Sequence, residues 1–228
     1  MQEFTWDGKL VWEFTYSSES YMLHHDIERL PNGNILMIAW ERKTLQEAAE
    51  VGRNPKKLGK EGLWSEQIIE VKPTGATTEE IVWKWHAWDH LVQDRNLTLP
   101  NYGKIADHPE RININPFDWK EQLSEEDREK LASLGYLSSS RRPDKQDTNP
   151  DWLHINSIAY NDELYQIVLS VLGFNEIWII DHAISSEEAA GPKGDLLFRW
   201  GNPQAYGRGT SGNQQLFAQH DTYWIAEG

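Results

Sequence analysis

The sequence predicts an all-β fold of the β-propeller class. Three observations predict it: strand-like runs arrive in groups of four, a histidine heads each group, and tryptophan is dense, at 12 in 228 residues. The tryptophans lie in runs such as Leu10-Val11-Trp12-Glu13-Phe14 and Ile81-Val82-Trp83-Lys84-Trp85. Aromatic and β-branched side chains in such runs suit a pleated, half-buried surface. A β-sandwich with a similar number of strands is the alternative that the pattern leaves open.

The first element, Phe4 to Phe14, reads as the closing hairpin of a blade. The first full group opens at Leu23-His24-His25-Asp26-Ile27-Glu28-Arg29-Leu30. Pro31-Asn32-Gly33-Asn34 is a turn in which Gly33 is free to take positive φ. Strands at 35–40, 67–71 and 80–85 complete the group. The second group repeats the order, with strands at 154–160, 166–170, 176–180 and 195–200 and a turn at Asn161-Asp162. A third group starts at Gln219-His220-Asp221-Thr222-Tyr223-Trp224-Ile225.

These groups divide one domain into the end of a blade (1–22), a blade (23–90), a helical and loop insertion (91–150), a blade (151–203), and a loop leading into the next blade (204–228). That is about three blades, and propellers need at least four to close. The expectation is a partial propeller, completed by further blades or by a partner such as a second copy of the chain.

Two short helices interrupt the strands. Thr44 to Val51 is one. Ser124 to Gly135 is the stronger, with Ser124 as N-cap, acids in the first turn and Gly135 as the stop. A polar loop runs from Ser138 to Pro150. Surface decoration is the bland reading of these segments, and a lid over a channel mouth is the functional one.

Composition narrows the chemistry. A net charge of −14 opposes nucleic-acid phosphates, so a small anionic substrate has to meet a local cluster of donors. The absence of cysteine removes disulfides, thiolate catalysis and thiolate zinc sites. No apolar run approaches the roughly 18 residues of a membrane span. The start, Met1-Gln2-Glu3-Phe4-Thr5, does not read as a signal peptide.

His25, His154 and His220 occupy the same place in successive groups. In a propeller the first strand of each blade lines the axis, so these side chains converge on one volume. Imidazoles gathered there can bind an anion, hold a metal or move protons. An ordinary structural histidine is the competing reading for each. No His-x-x-x-His or His-Glu-x-x-His spacing supports a metal, although ligands from separate blades can still assemble. Strand alternation turns His24 away from His25 and into sheet packing. His86, His90, His108 and His182 read as structural or solvent-facing. The glycines of 206–212 lack the strand-to-helix setting of a phosphate loop, and no Gly-x-Ser-x-Gly elbow occurs.

Taken together, His24-His25-Asp26-Ile27 with Leu30-Pro31-Asn32-Gly33-Asn34, Asp151-Trp152-Leu153-His154-Ile155-Asn156, Glu176-Ile177-Trp178-Ile179-Ile180-Asp181-His182, Phe198-Arg199-Trp200-Gly201-Asn202-Pro203 and Gln219-His220-Asp221 resemble the bacterial arylsulfotransferase family over nearly the whole chain. The resemblance implies a six-bladed propeller and an exported, periplasmic or extracellular enzyme without a cofactor. It implies transfer of a sulfuryl group from a phenolic sulfate to a phenol, ping-pong, through a sulfated histidine and without a nucleotide sulfate donor.

On that resemblance His154 and His220 are the catalytic residues that hold the sulfuryl group, and Asn156 lies beside them. His25, Trp152 and Tyr223 complete the expected substrate site, the two aromatics by stacking on the phenol ring. Small aryl sulfates and phenols are the expected partners. One departure stands out: relatives carry arginine where this chain has Leu172. The family's nucleophilic histidine, with a further arginine, is expected in later blades, past Gly228.

Overall fold

The computed structural model describes residues 1–116, 125–133 and 150–225. β1 (Gln2–Phe4) and β2 (Leu10–Glu13) form the expected hairpin, turning at Gly8 with φ +83°. β3 (Tyr21–Arg29), β4 (Ile35–Lys43), β5 (Leu63–Gly75) and β6 (Thr78–His86) pair in sequence order as an antiparallel sheet. Gly33, at φ +86°, makes the turn between β3 and β4.

β7 (Leu91–Val92) and β8 (Ile112–Asn113) are a short parallel pair outside the two larger sheets. β9 (Ile155–Asn161), β10 (Gln166–Val171), β11 (Glu176–Asp181) and β12 (Phe198–Trp200) form a second four-stranded antiparallel sheet, again in sequence order. A sandwich joins its two sheets by strands that cross between them. Here each sheet is a complete meander of consecutive strands, which is how a propeller blade is built. Among the described residues no sheet closes on itself.

Alternation explains why β4 is apolar throughout. One face, with Ile35 and Met37, packs on Trp12 and Phe14 of the hairpin and on Ile69 and Val71. The other, with Leu36 and Ile38, joins Ile155, Ile158, Leu169 and Trp178 of the second sheet in the main core. Burying each such side chain contributes about 1.5–3 kcal/mol. The tryptophans of β6 also tie the sheets by hydrogen bonds. The Trp83 indole N–H donates to the Ile184 carbonyl at 2.9 Å, and that of Trp85 to the Gly194 carbonyl at 2.8 Å.

The helix predicted from Thr44 to Val51 is α1 (Leu45–Glu50), which begins on a capping box between Thr44 and Glu47. α2 (Glu125–Ser133) confirms the stronger helix, while its predicted caps Ser124 and Gly135, and the loop up to Asn149, lie outside the described residues. α3 (Ser186–Ala189), unpredicted, starts on a capping box between Ser185 and Glu188.

Two expectations are corrected. The last strand of the second sheet is only Phe198–Trp200. Asp195 is diverted to His90, whose Nδ1 lies 2.8 Å from Oδ1, and to Arg111 Nε at 3.5 Å. Residues 219–225 lie beside β9 without joining a ladder. They hang on side chains and single amides instead, with Thr222 N–H donating to Ser157 Oγ at 2.9 Å.

Arg199 locks the second sheet to the insertion. Its guanidinium binds the buried Glu176 carboxylate, lies 4.5 Å from the Tyr206 ring centroid, and donates to the Arg111 carbonyl at 2.9 Å. Among the described residues no helix is long and apolar enough to cross a membrane.

Candidate active site

The site begins with a break in β3. Its pairing with β4 slips between Leu23 and Ile27, and His25 takes φ +53° inside the slip. A bulge of this kind re-aims side chains that regular alternation would send to opposite faces. His24 therefore packs on the sheet as expected but stays within reach of His25, which alternation does not predict. Its Nδ1 lies 2.7 Å from Nδ1 of His25. The His24 ring stacks on Trp40 at 4.1 Å between centroids, and its Nε2 lies 2.7 Å from Glu66 Oε2.

His154 comes from the second sheet, immediately before β9, and takes φ +51°. Its ring meets that of His25 edge-on at 4.5 Å between centroids. Asp151 Oδ2 lies 2.5 Å from its Nδ1. β5 sets the position of Asp151: Trp64 bridges to it in parallel and donates its N–H to the Pro150 carbonyl at 2.9 Å. On the other side, Leu172 N–H donates to the His154 carbonyl at 3.1 Å and Gly173 N–H to the Leu153 carbonyl at 2.8 Å. Leu172 thus borders the cluster.

Carboxylates of the first sheet hold β9 in place. Glu66 Oε1 accepts from Ile155 N–H at 3.0 Å, and Asp26 Oδ2 accepts from Ile158 N–H at 3.1 Å. Left-handed backbone at two non-glycine residues costs on the order of 1–3 kcal/mol each, and such strain gathers at functional sites. Asp221, next to His220, is a third, at φ +62°.

Burial sets the electrostatics. Desolvation pulls both His24 and His25 down to about 4, assisted by the neighbouring imidazoles and opposed by Asp151. Both rings are therefore neutral near pH 7. Burial, with Asp151 nearby, pushes the Glu66 carboxyl well above the usual carboxylate range.

His220 lies near enough to His25 to disfavour its protonation. Its Nδ1–H points to the Ala218 carbonyl at 3.1 Å. Asn156 secures this segment, its Nδ2 donating to the Gln219 carbonyl at 3.0 Å. The structure thus brings His25 and His154 into contact and leaves His220 at the exposed rim of the cluster.

The aromatics differ from expectation. Trp152 is only 7% exposed, packed edge-on against Phe174 with the Arg53 guanidinium over its ring, so it offers no open face to a phenol. It is a core residue, because the chain turns it inward beside the strained His154. Tyr223 is open to solvent at 66%, and the carboxylates of Asp221 and Asp26 push its phenol up.

The remaining histidines each meet a carboxylate: His86 with Glu41, His90 with Asp195, His108 with Glu110 and His182 with Glu70. Among the described residues no group of three or more His, Cys, Asp or Glu side chains is arranged to hold a metal. Three members of the cluster escaped the sequence reading: His24, Glu66 and Asp151. Glu66 lies just before the strand predicted at 67–71, inside the longer β5 (Leu63–Gly75). Asp151 carried a signal, three residues before a candidate catalytic histidine.

Fold and cluster together define a class: all-β proteins of blade-like sheets whose leading strands bring a histidine–carboxylate cluster to one place. The arylsulfotransferase (ASST) family model matches residues 1–191, and the chain belongs to that family. Neither the curated proteins nor the solved structures yield a match.

Proposed function

We propose that this protein transfers a sulfuryl group from a phenolic sulfate to a phenol, ping-pong, with an imidazole of the cluster as covalent carrier in place of the later histidine that the resemblance implies. The supporting observation is the contact of His25 with His154, itself oriented by Asp151. A carboxylate accepting from Nδ1–H leaves the lone pair on Nε2, the nitrogen suited to attack sulfur. In the first half-reaction an N–S bond forms as the S–O bond to the phenol breaks, and the phenolate departs with a proton. In the second, an acceptor phenol oxygen attacks sulfur, loses its proton and frees the imidazole. Charge stays on the sulfuryl oxygens, where fixed N–H donors give most of the stabilisation.

His154 and His220 hold the sulfuryl group in this scheme, and His25 faces the phenolic oxygen. Asn156 keeps the His220 segment in reach. Tyr223 is the remaining candidate for contact with the phenol ring. The wider family setting, a closed six-bladed ring in an exported protein, belongs to the same proposal, as does completion of the ring by further blades or a second chain.

Incubation with a chromogenic aryl sulfate and no acceptor, followed by mass spectrometry, tests the reading. A sulfuryl adduct on His154 or His220 is expected. Turnover unchanged in both His154→Ala and His220→Ala rejects their roles. Leu172, in place of an arginine, favours a second reading, a non-catalytic binding propeller. Phenolic sulfate binding without any phenol released supports that alternative.

A further inference from the structure

The row Glu66, His24, His25 leads from a fully buried carboxyl to the cluster. Every link in it is a hydrogen bond: Oε2 to Nε2 at 2.7 Å, then Nδ1 to Nδ1 at 2.7 Å. Stacking on Trp40 fixes the His24 ring, so both of its nitrogens stay in line. Asp151, His154 and His220 are the other titratable groups acting on this row.

We propose that Glu66 and His24 are positioning residues that store and return the proton exchanged with the phenolic oxygen at Nε2 of His25. The inference rests on the sulfuryl-transfer reading above. Hydrogen bonding dictates the resting tautomers. Glu66 Oε1 accepts from Ile155 N–H, so Oε2 is the oxygen that bears the carboxyl proton. Oε2–H donates to His24 Nε2, and His24 Nδ1–H then donates to His25 Nδ1. His25 is left with its proton on Nε2, facing the site as a donor. Burial of Glu66 favours this uncharged arrangement.

When the S–O bond of the donor breaks, the departing phenolate takes the proton from His25 Nε2. The proton on His24 Nδ1 moves to His25 Nδ1, and the Glu66 proton moves to His24 Nε2. Glu66 becomes a carboxylate while the sulfuryl group rides on its carrier imidazole. The acceptor phenol reverses each shift. Its proton goes to His25 Nε2 as its oxygen bonds sulfur and the N–S bond breaks. No proton is gained or lost over the cycle, and no outside base is required.

Glu66→Gln separates this role from a structural one. The amide can accept from Ile155 N–H and donate to His24 Nε2, so the geometry survives, but it has no proton to release. Expected is a first half-reaction little changed for 4-nitrophenyl sulfate, whose phenolate leaves unaided. For unsubstituted phenyl sulfate a fall of about 10²-fold is expected. His24→Gln is expected to give the same steepened dependence on the leaving group.

Spectroscopy supplies a readout independent of activity. Infrared difference spectra should contain a protonated-carboxyl band in the wild type that Glu66→Gln removes, and ¹⁵N NMR should place the His24 proton on Nδ1. An ionised Glu66 with the proton on His24 Nε2 at rest overturns the proposal, as does an unchanged leaving-group dependence in both variants. A wild type with no activity on any aryl sulfate defeats the sulfuryl-transfer reading instead, and the two spectra still decide the proton row.

Discussion

Asp151 and His154 stand three residues apart on a non-helical bend, and the carboxylate Oδ2 meets the imidazole Nδ1 at 2.5 Å. The pair fixes which nitrogen of His154 bears the proton. In Asp151→Asn the amide can present its own N–H to Nδ1 and force the proton onto Nε2. We expect kcat for a chromogenic aryl sulfate to fall by about 10²–10⁴-fold with KM little changed. Steady-state kinetics measure it, and equal loss in binding and turnover would point to a structural role for Asp151 alone.

His24 and His25 are neutral in the folded protein down to about pH 4, against an ordinary value of 6.5. The unfolded chain therefore binds more protons between those values. Their contribution to stability is fully present above pH 6.5 and is lost as pH falls through 6.5 towards 4. For His24 the scale is roughly 3 kcal/mol, and for the more open His25 less. Urea unfolding at pH 7 and pH 4.5 should show the loss, and His24→Gln should reduce it.

Glu66 works in the opposite sense. Its folded pKa is raised above 4.5, so the folded protein binds the extra proton, and this contribution is lost as pH rises through the folded value. Glu66→Gln has no such proton to lose. Its stability relative to the wild type should rise as pH climbs from about 4.5 to the folded value, by at most about 1.4 kcal/mol per unit, and level off above it. The same urea series, extended to pH 9, tests this, and a flat difference would mean that Glu66 is ionised throughout.

Gly173 supports the turn that carries His154. A Cβ there would lie 2.2 Å from the Trp152 carbonyl oxygen and 2.7 Å from that of Leu153. Both obstacles are backbone, so the Gly173→Ala variant must displace the segment that leads into His154. We expect a lower melting temperature, a stability loss of about 1–3 kcal/mol, and impaired turnover.

The Arg199–Glu176 pair should behave as a buried ion pair. Arg199→Ala leaves Glu176 without its partner in the core and should cost about 3–5 kcal/mol. Replacing both, as Arg199→Met with Glu176→Gln, should recover much of that loss, and thermal unfolding of the three proteins measures it.

The strands were legible because their signals are local. Apolar runs such as Ile35 to Trp40, a glycine turn at Gly33 and the Trp-rich runs at β2 and β6 predict elements from a few neighbouring residues. The helix starting at Thr44 was readable for the same reason. The segment after Gln219 misled, because a strand-like composition does not supply a partner edge. Trp152 misled because its neighbour His154 is exposed to the cluster while the turn buries the indole.

Sequence alone thus determined the order of the strands, their grouping by four and the histidines at the head of each group. Tertiary structure decided which of those side chains meet. Glu66, Asp151 and the two histidines of β3 are far apart along the chain, and only packing of one sheet on the next brings them together. A single slipped register in β3 then turned His24 into the cluster, because the backbone follows the pairing available across the sheet rather than the alternation written in the residues.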